Sequence, residues 1–516
     1  MIVVEQAKAL ALNLKNPQKV LSTIPAAAAM KFNNTELVVV PHKIDEVRVL
    51  RNLGIKAPSP ILHYYDWVGR YKPYEHQRMT SAFLTMHKKA LVLNEIGTGK
   101  TQSALWASDY LMKIGEVKKV LIISPLSTLE RVWGDSIFMN FPHRVSVTLH
   151  GSSSRRKKLL NTDADYYIIN HDGFSIIEEQ SLNKFDLIIV DEAAVLRNPS
   201  TNRFKTLRKF INKHSDIRLW LMTGTPTPND PTDAWALAKL VDSTYCLQTY
   251  TAFRETVMMK VGQWRWLPRP ESIEIVKHTL YPAVRYSRDE CFDLPDTVYQ
   301  TRKVNLTTEQ QKHFSRMLKH FVTELEEVGT ITAVNEAVKL QKLVQISCGV
   351  VYGDDGRHIE VDCSPRVKVV QEIIREVGGK TIVFVPLTGT LNMLERELSK
   401  DWSVAVVNGE VSAPKRNAIF HNFQTQTDPH ILIAHPATMA HGLTLTSAST
   451  VIWYGPVTSN EQYIQANGRI ERIGKKHTSN VIHIEATDVE YRMYERLKNK
   501  QKLQGLLLDL IKEGTR

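Results

Sequence analysis

The stretch Leu91-Val92-Leu93-Asn94-Glu95-Ile96-Gly97-Thr98-Gly99-Lys100-Thr101 constrains the fold more than any other part of the chain. An apolar run enters a glycine-bearing turn, and a helical pattern opens at Lys100. Ala104, Leu105, Ser108, Leu111 and Met112 mark one face of that helix, which stops at Gly115. Strand, loop and helix in this order aim backbone N–H groups and the positive end of a helix dipole at one point. That point is an anion site. Gly97, Thr98 and Gly99 form the cradle, Lys100 is placed for the β- and γ-phosphates, and the Thr101 hydroxyl is placed for Mg²⁺. Asn94 stands where the general pattern has its first glycine.

Two further strand ends carry chemistry. Phe185-Asp186-Leu187-Ile188-Ile189-Val190 runs apolar into Asp191-Glu192. An acid pair alone is more often a solvated turn. At the end of a buried strand, Asp191 can hold Mg²⁺ and Glu192 can orient or deprotonate a water. Leu219-Trp220-Leu221-Met222 ends in Thr223-Gly224-Thr225-Pro226, whose hydroxyls could relay between the phosphate site and a second site.

These segments sit in a longer rhythm. Strand candidates Ala90–Leu93, Val120–Ile123, Tyr167–Ile169, Leu187–Val190 and Leu219–Met222 alternate with helical segments over 67–245. Such alternation predicts a parallel sheet with crossover helices. Residues 246–360 lose the rhythm and read as helical insertions, including Glu309–Glu327 and Ala333–Val344. From 361 to 516 it returns in Thr381–Val385, Val404–Val407, Ile431–Ala434, Val451–Tyr454 and Val481–Ile484. A final amphipathic helix carries Met493, Leu497, Leu507 and Ile511. Residues 1–66 read as a small accessory module with a strand at Glu36–Val40 and a helix through Ile44, Val47 and Leu50. The predicted class is α/β, with two similar lobes in tandem.

Composition narrows the partners. Of 516 residues, 66 are Lys or Arg and 54 Asp or Glu, a net charge of +12 that favours a polyanion. The four cysteines form no C-x-x-C pair, which argues against a zinc ribbon or a disulfide framework. No apolar run is long enough to span a bilayer, and the N-terminus is a poor signal peptide, so an intracellular, soluble protein without membrane contact is expected. The compact length suggests a viral or prokaryotic accessory enzyme. Arg155–Lys158 could meet phosphates or simply be a solvated helix start, and Trp264-Arg265-Trp266 reads as a packed loop.

Taken together, the motifs resemble helicase superfamily two, and within it the Swi/Snf-type DNA translocases. Tyr71–Gln77 is similar to the family's adenine-reading element, with Gln77 as its glutamine. Ile122–Leu129, followed by Trp133, looks like the first track-contacting motif. Ala194 departs from Asp-Glu-x-His, whereas Arg197-Asn198 continues the pattern. Arg285–Arg288, Leu294-Pro295 and Leu340–Cys348 resemble the branch's helical protrusions. Asn408-Gly409-Glu410, Arg416, Phe423 and Ala440–Thr446 fit its second lobe. Thr444, where chromatin remodellers carry Asn, is more similar to the annealing-helicase subgroup. The most specific match is Gln465-Ala466-Asn467-Gly468-Arg469-Ile470-Glu471-Arg472-Ile473-Gly474-Lys475.

The resemblance implies two RecA-like lobes, ATP and Mg²⁺ as cofactors, and duplex or branched DNA as partner. Arg469 and Arg472, three apart on a helix, would reach across the cleft to the transferring phosphoryl group. Lys100, Glu192, Arg469 and Arg472 are the expected catalytic set. Gln77, Gly97, Thr98, Gly99, Lys100, Thr101 and Asp191 are expected to bind nucleotide, and Thr101 and Asp191 the metal. Ser124, Pro125, Thr223, Gly442 and Thr444 are the expected DNA contacts. Three other readings remain open: a strand-separating DNA or RNA helicase, a non-catalytic DNA-binding scaffold, and the motor subunit of a nuclease complex.

Overall fold

The computed structural model describes residues 1–32, 35–174, 177, 182–228, 230–261, 266–292, 297–317, 341–352, 358–439, 445–470 and 478–497. Two parallel sheets dominate. The first has seven strands, in the spatial order Ala283–Val284, Lys89–Val92, Arg218–Met222, Leu187–Asp191, Val120–Ser124, Tyr166–Asn170 and Ser146–Thr148. The second has six, in the order Thr297–Lys303, Ser479–Glu485, Thr450–Trp453, Thr381–Phe384, Ile431–Ala434 and Val404–Val407. Every strand pair in both runs parallel.

Alternation across the pleat explains the layers. In the first sheet Leu121, Ile123, Ile188 and Val190 face one side with Leu219 and Leu221. Val120, Ile122, Leu187 and Ile189 face the other with Trp220 and Met222. Helices cover both faces, so central strands such as Leu187–Asp191 are buried at every residue. The second sheet repeats the arrangement, with Val383 and Ile433 on one side and Ile382 and Leu432 on the other. The expected α/β class with two tandem lobes is borne out, and every expected strand is present within a residue or two.

The N-terminal residues form a four-stranded antiparallel sheet in the order Ile2–Val4, Ala9–Leu12, Thr35–Pro41, Ala28–Phe32, with a helix at Ile44–Asn52. Its inner face is not a separate core. Leu10, Val38, Val47 and Tyr65 pack in one cluster with Leu84, Trp106 and Trp220 of the first lobe.

Among the described residues six strands fall in the stretch read as helical, and two of them join the large sheets. Ala283–Val284 returns to the first sheet beside the phosphate-loop strand, pairing with Leu91 and Val92. Arg285–Arg288 therefore border that loop rather than form a protrusion. Thr297–Lys303 is the edge of the second sheet and is largely exposed, so it shows no apolar run. Helical turns are present at 308–317 and 341–347, and Gln310 Nε2 ties the two by donating to the carbonyls of Ile346 and Ser347. Most of Glu309–Glu327 and Ala333–Val344, the loop residues Trp264, Arg265, Leu294 and Pro295, and Leu507 and Ile511 lie outside the described residues. No helix among the described residues is long and apolar enough to cross a membrane.

Candidate active site

The Lys89–Val92 strand delivers the loop 93–99 to the start of the helix Lys100–Lys113. Gly97 and Gly99 have φ of +91° and +82°, the left-handed region where a Cβ is strained. A Cβ on Gly99 would also sit 2.1 Å from Gln77 Nε2, so a side chain there would displace the Gln77 amide from the loop. Gln77 Nε2 and His76 Nε2 both donate to the Thr98 carbonyl, at 3.1 and 2.9 Å. Gln77 Oε1 accepts the Tyr74 N–H at the start of the same helix. The Lys100 ammonium rests on the carbonyls of Asn94 (2.9 Å) and Glu95 (3.2 Å). A cation is thus held at a helix N-terminus that no side chain caps.

Asn94, the departure from the glycine pattern, has a structural use. Its Nδ2 donates to Thr80 Oγ1 at 2.9 Å and its Oδ1 accepts the Tyr286 N–H at 3.0 Å. It stitches the loop to a helix on one side and to the segment after Ala283–Val284 on the other. Glu95 is gripped from that same segment: its carboxylate accepts Arg285 Nη2 and the Arg288 N–H, at 2.8 and 2.9 Å. Arg285 is only 2% exposed. Sequence reasoning missed this clamp because its halves are 190 residues apart and neither has a local signature.

The acid pair closes the other side. Asp191 Oδ2 accepts the Trp133 indole N–H at 3.0 Å and the Ser124 hydroxyl at 3.3 Å, and Oδ1 accepts the Glu192 N–H at 3.1 Å. His171 Nε2 donates to the Asp191 carbonyl at 2.8 Å. Glu192 itself has φ +49°, a left-handed conformation that costs a residue with a side chain about 1 kcal/mol or more. Burial, then the Asp191 charge, then Glu461, push the Glu192 carboxyl up to about 7, against the opposing pull of Lys100 and Arg469. Those charges come from both lobes, and the cleft brings them together.

Lobe two contributes the helix Asn460–Asn467 and the residues just beyond it. Gly468 packs on the phosphate loop: a Cβ there would lie 3.6 Å from Ile96 Cγ2. Arg469 follows and is 3% exposed, with its carbonyl accepting the Leu445 N–H. Trp453 Nε1 donates to Asn467 Oδ1 at 2.9 Å, fixing the end of that helix to the second sheet. Arg197 of lobe one and Glu461 of lobe two face each other at 3.9 Å.

The structure thus gathers Gln77, Gly97, Thr98, Gly99, Lys100, Thr101, Asp191, Glu192 and Arg469 in one cleft. Arg472, Gly442 and Thr444 lie outside the described residues. Of the expected DNA contacts, three fall on described residues. Ser124 and Thr223 are fully buried, and Pro125 is buried too. The Ser124 hydroxyl is spent on Asp191 and on Thr128 Oγ1, and Thr223 Oγ1 accepts the Thr225 N–H. The Ser124 and Thr223 hydroxyls so placed brace the acid strand and the turn after its neighbour. What this loop exposes is Leu126, 58% accessible, and Ser127.

The donor set suits a nucleoside triphosphate with a hard cation. A glycine cradle that a Cβ would fill, a lysine at a helix N-terminus, one hydroxyl and one carboxylate match what Mg²⁺ takes when phosphate oxygens and water complete its shell. Among the described residues no cluster of three or more His, Cys, Asp or Glu side chains offers a metal site made by protein alone.

Comparisons with known proteins bear on the family of the chain. The model of the SNF2-related domain matches residues 20–348, and that of the helicase conserved C-terminal domain matches residues 365–474. "Putative protein p41" of Acyrthosiphon pisum secondary endosymbiont phage 1 is 26% identical over 475 residues, covering 86% of this chain and 98% of that protein. "Putative ATP-dependent helicase/translocase YwqA" of Bacillus subtilis is 23% identical over 491 residues, covering 90% of this chain and 51% of that protein. The "Sulfolobus solfataricus SWI2/SNF2 ATPase core in complex with dsDNA" is 21% identical with a TM-score of 0.41, covering 86% of this chain and 94% of that one. The chain thus spans nearly all of the phage protein but about half or less of the other curated relatives compared with it. Matched by these two family models along most of its sequence, the chain is a member of the SNF2-related family of helicase superfamily two, the ATP-dependent helicases and translocases.

Proposed function

We propose that this protein hydrolyses ATP between its lobes and uses the cycle to move along duplex or branched DNA. The observation that carries the reading is the convergence of Lys100 and Glu192 from lobe one with Arg469 from lobe two. Lys100 and the loop amides bind the β- and γ-phosphates. Glu192 orients and deprotonates the attacking water. Arg469 meets charge that develops on the γ-phosphoryl oxygens, with Arg472 as its expected companion. Thr101 and Asp191 are the residues that would hold Mg²⁺, whose charge offsets that of the phosphates. Because Arg469 belongs to the other lobe, turnover needs closure, and release of products permits opening. Repeated closure moves one lobe past the other.

DNA enters the reading through charge and family. A net charge of +12 favours phosphate backbones, and backbone contacts alone suffice for stepping without sequence preference. Strand separation would need a wedge at a junction, and the described residues of lobe two offer no clear one. Duplex translocation is therefore favoured over unwinding, with the annealing-helicase subgroup as the finer proposal.

The test measures ATPase with no nucleic acid, duplex, single-stranded and forked DNA, and RNA. It also compares displacement of a triplex-forming strand with unwinding of a forked duplex. Duplex-stimulated turnover with triplex displacement supports the reading, and strongest stimulation by forks supports the subgroup. Unwinding without triplex displacement, or stimulation by RNA alone, promotes the helicase reading. Absence of ATPase on every substrate promotes the scaffold.

A further inference from the structure

We propose that Arg197 and Glu461 form an inter-lobe latch that sets where Arg469 stands over the phosphate loop. This rests on the reading that the cleft hydrolyses ATP. Arg197 Nη1 lies 3.9 Å from Glu461 Oε2. On lobe one the guanidinium is tied to the acid motif, since Nη1 donates to the Ala194 carbonyl at 3.1 Å and Nε lies 4.0 Å from Asp233 Oδ1. On lobe two Glu461 sits in the first turn of Asn460–Asn467, and its Oε1 accepts Gln465 Nε2 at 3.2 Å. That leaves Oε2 turned toward Arg197. The latch thus joins the turn after Asp191-Glu192 to the helix that leads into Arg469.

The same helix touches lobe one at a second point, Gly468 against Ile96. Glu461 and Gly468 are seven residues apart, two helical turns, so they share a face. A single contact would let the helix pivot about it. Two contacts on one face fix its rotation as well as its approach, and with them the position of Arg469, the residue after Gly468. The partial exposure of the pair, 32% and 27%, suits a contact that must form and break in every cycle. A fully buried pair would leave costly unpaired charges on opening, and a fully exposed one would contribute almost nothing. Arg197 and Glu461 are positioning residues, for neither is assigned to nucleotide.

The experiment is a double-mutant cycle on the full chain, reading kcat and KM for ATP with saturating duplex DNA. Arg197→Gln and Glu461→Gln should each lower kcat about three- to tenfold with KM little changed, and the double variant should be no slower than the slower single. Arg197→Lys should recover most of the loss. Unchanged kcat in both singles, multiplicative losses in the double, or losses confined to KM would overturn the latch. If a glutamine variant shows no cooperative unfolding, Arg197→Lys against Glu461→Asp makes the same comparison, because the shorter carboxylate loses the pair and the lysine keeps it. An inactive wild-type chain would overturn the proposed ATPase itself, whereas an active one with uncoupled residues overturns only the latch.

Discussion

The indole of Trp133 donates its N–H to Asp191 Oδ2 at 3.0 Å, and Trp133 is completely buried. One side chain thereby fills the core beneath the first sheet and aims the carboxylate proposed to hold Mg²⁺. Ser124 supports the same oxygen from the neighbouring strand. The segment named for contact with the track therefore reaches the nucleotide site from inside.

Trp133→Phe keeps most of the packing and deletes the donor. Leaving a buried carboxylate oxygen short of a partner costs about 1–3 kcal/mol. Urea unfolding should show a loss of that size, and ATPase titrated with Mg²⁺ should need more metal for half-maximal rate. An unchanged Mg²⁺ requirement would show that the indole packs without aiming Asp191.

Arg285→Met should loosen the phosphate loop, because Glu95 loses its 2.8 Å partner while the volume stays similar. ATP affinity should fall about five- to thirtyfold, the equivalent of a charged hydrogen bond of about 1–2 kcal/mol. Equilibrium titration with a fluorescent ATP analogue reads this directly. Wild-type affinity would reduce the clamp to a feature of folding.

Lys100→Ala and Glu192→Gln should fail in different ways. The first removes the cation held over the loop and should abolish measurable ATP binding. The second keeps shape but cannot accept a proton, so ATP should bind while turnover falls about a hundredfold or more. Separate binding and single-turnover measurements distinguish them. Near-normal turnover in either variant removes that residue from the catalytic set.

Asp109 supplies a pH dependence of stability. Burial alone would raise its pKa, but hydrogen bonds from His143, Arg144 and Tyr65 outweigh that and hold it below the usual carboxylate value. A group with a depressed native pKa stabilises the fold where it is ionised, above about pH 4, and that contribution fades as pH falls through the native pKa. Asp109→Asn should cost about 2–4 kcal/mol near pH 7. The gap to wild type in urea unfolding should narrow as pH falls below the usual carboxylate range. A constant gap would assign the effect to packing.

The sequence by itself determined the parts whose physics is local. The order of strand, glycine turn and helix around Gly97–Thr101 specifies an anion cradle because backbone N–H direction follows from neighbouring dihedrals. Buried parallel strands such as Leu187–Asp191 are legible because both faces must be apolar, and the same rule yields both lobes. Ala283–Val284 and Thr297–Lys303 were not legible, the one being two residues long and the other an exposed edge, so neither carries a hydrophobic signature. Tertiary structure alone decided that Ser124 points inward to Asp191, that Arg285 grips Glu95, and that Glu461 arrives beside Arg197. Each of these joins groups far apart in the chain by one contact. Such a contact leaves no periodicity in the sequence, because its energy depends on where two separate elements are brought rather than on which residues adjoin it.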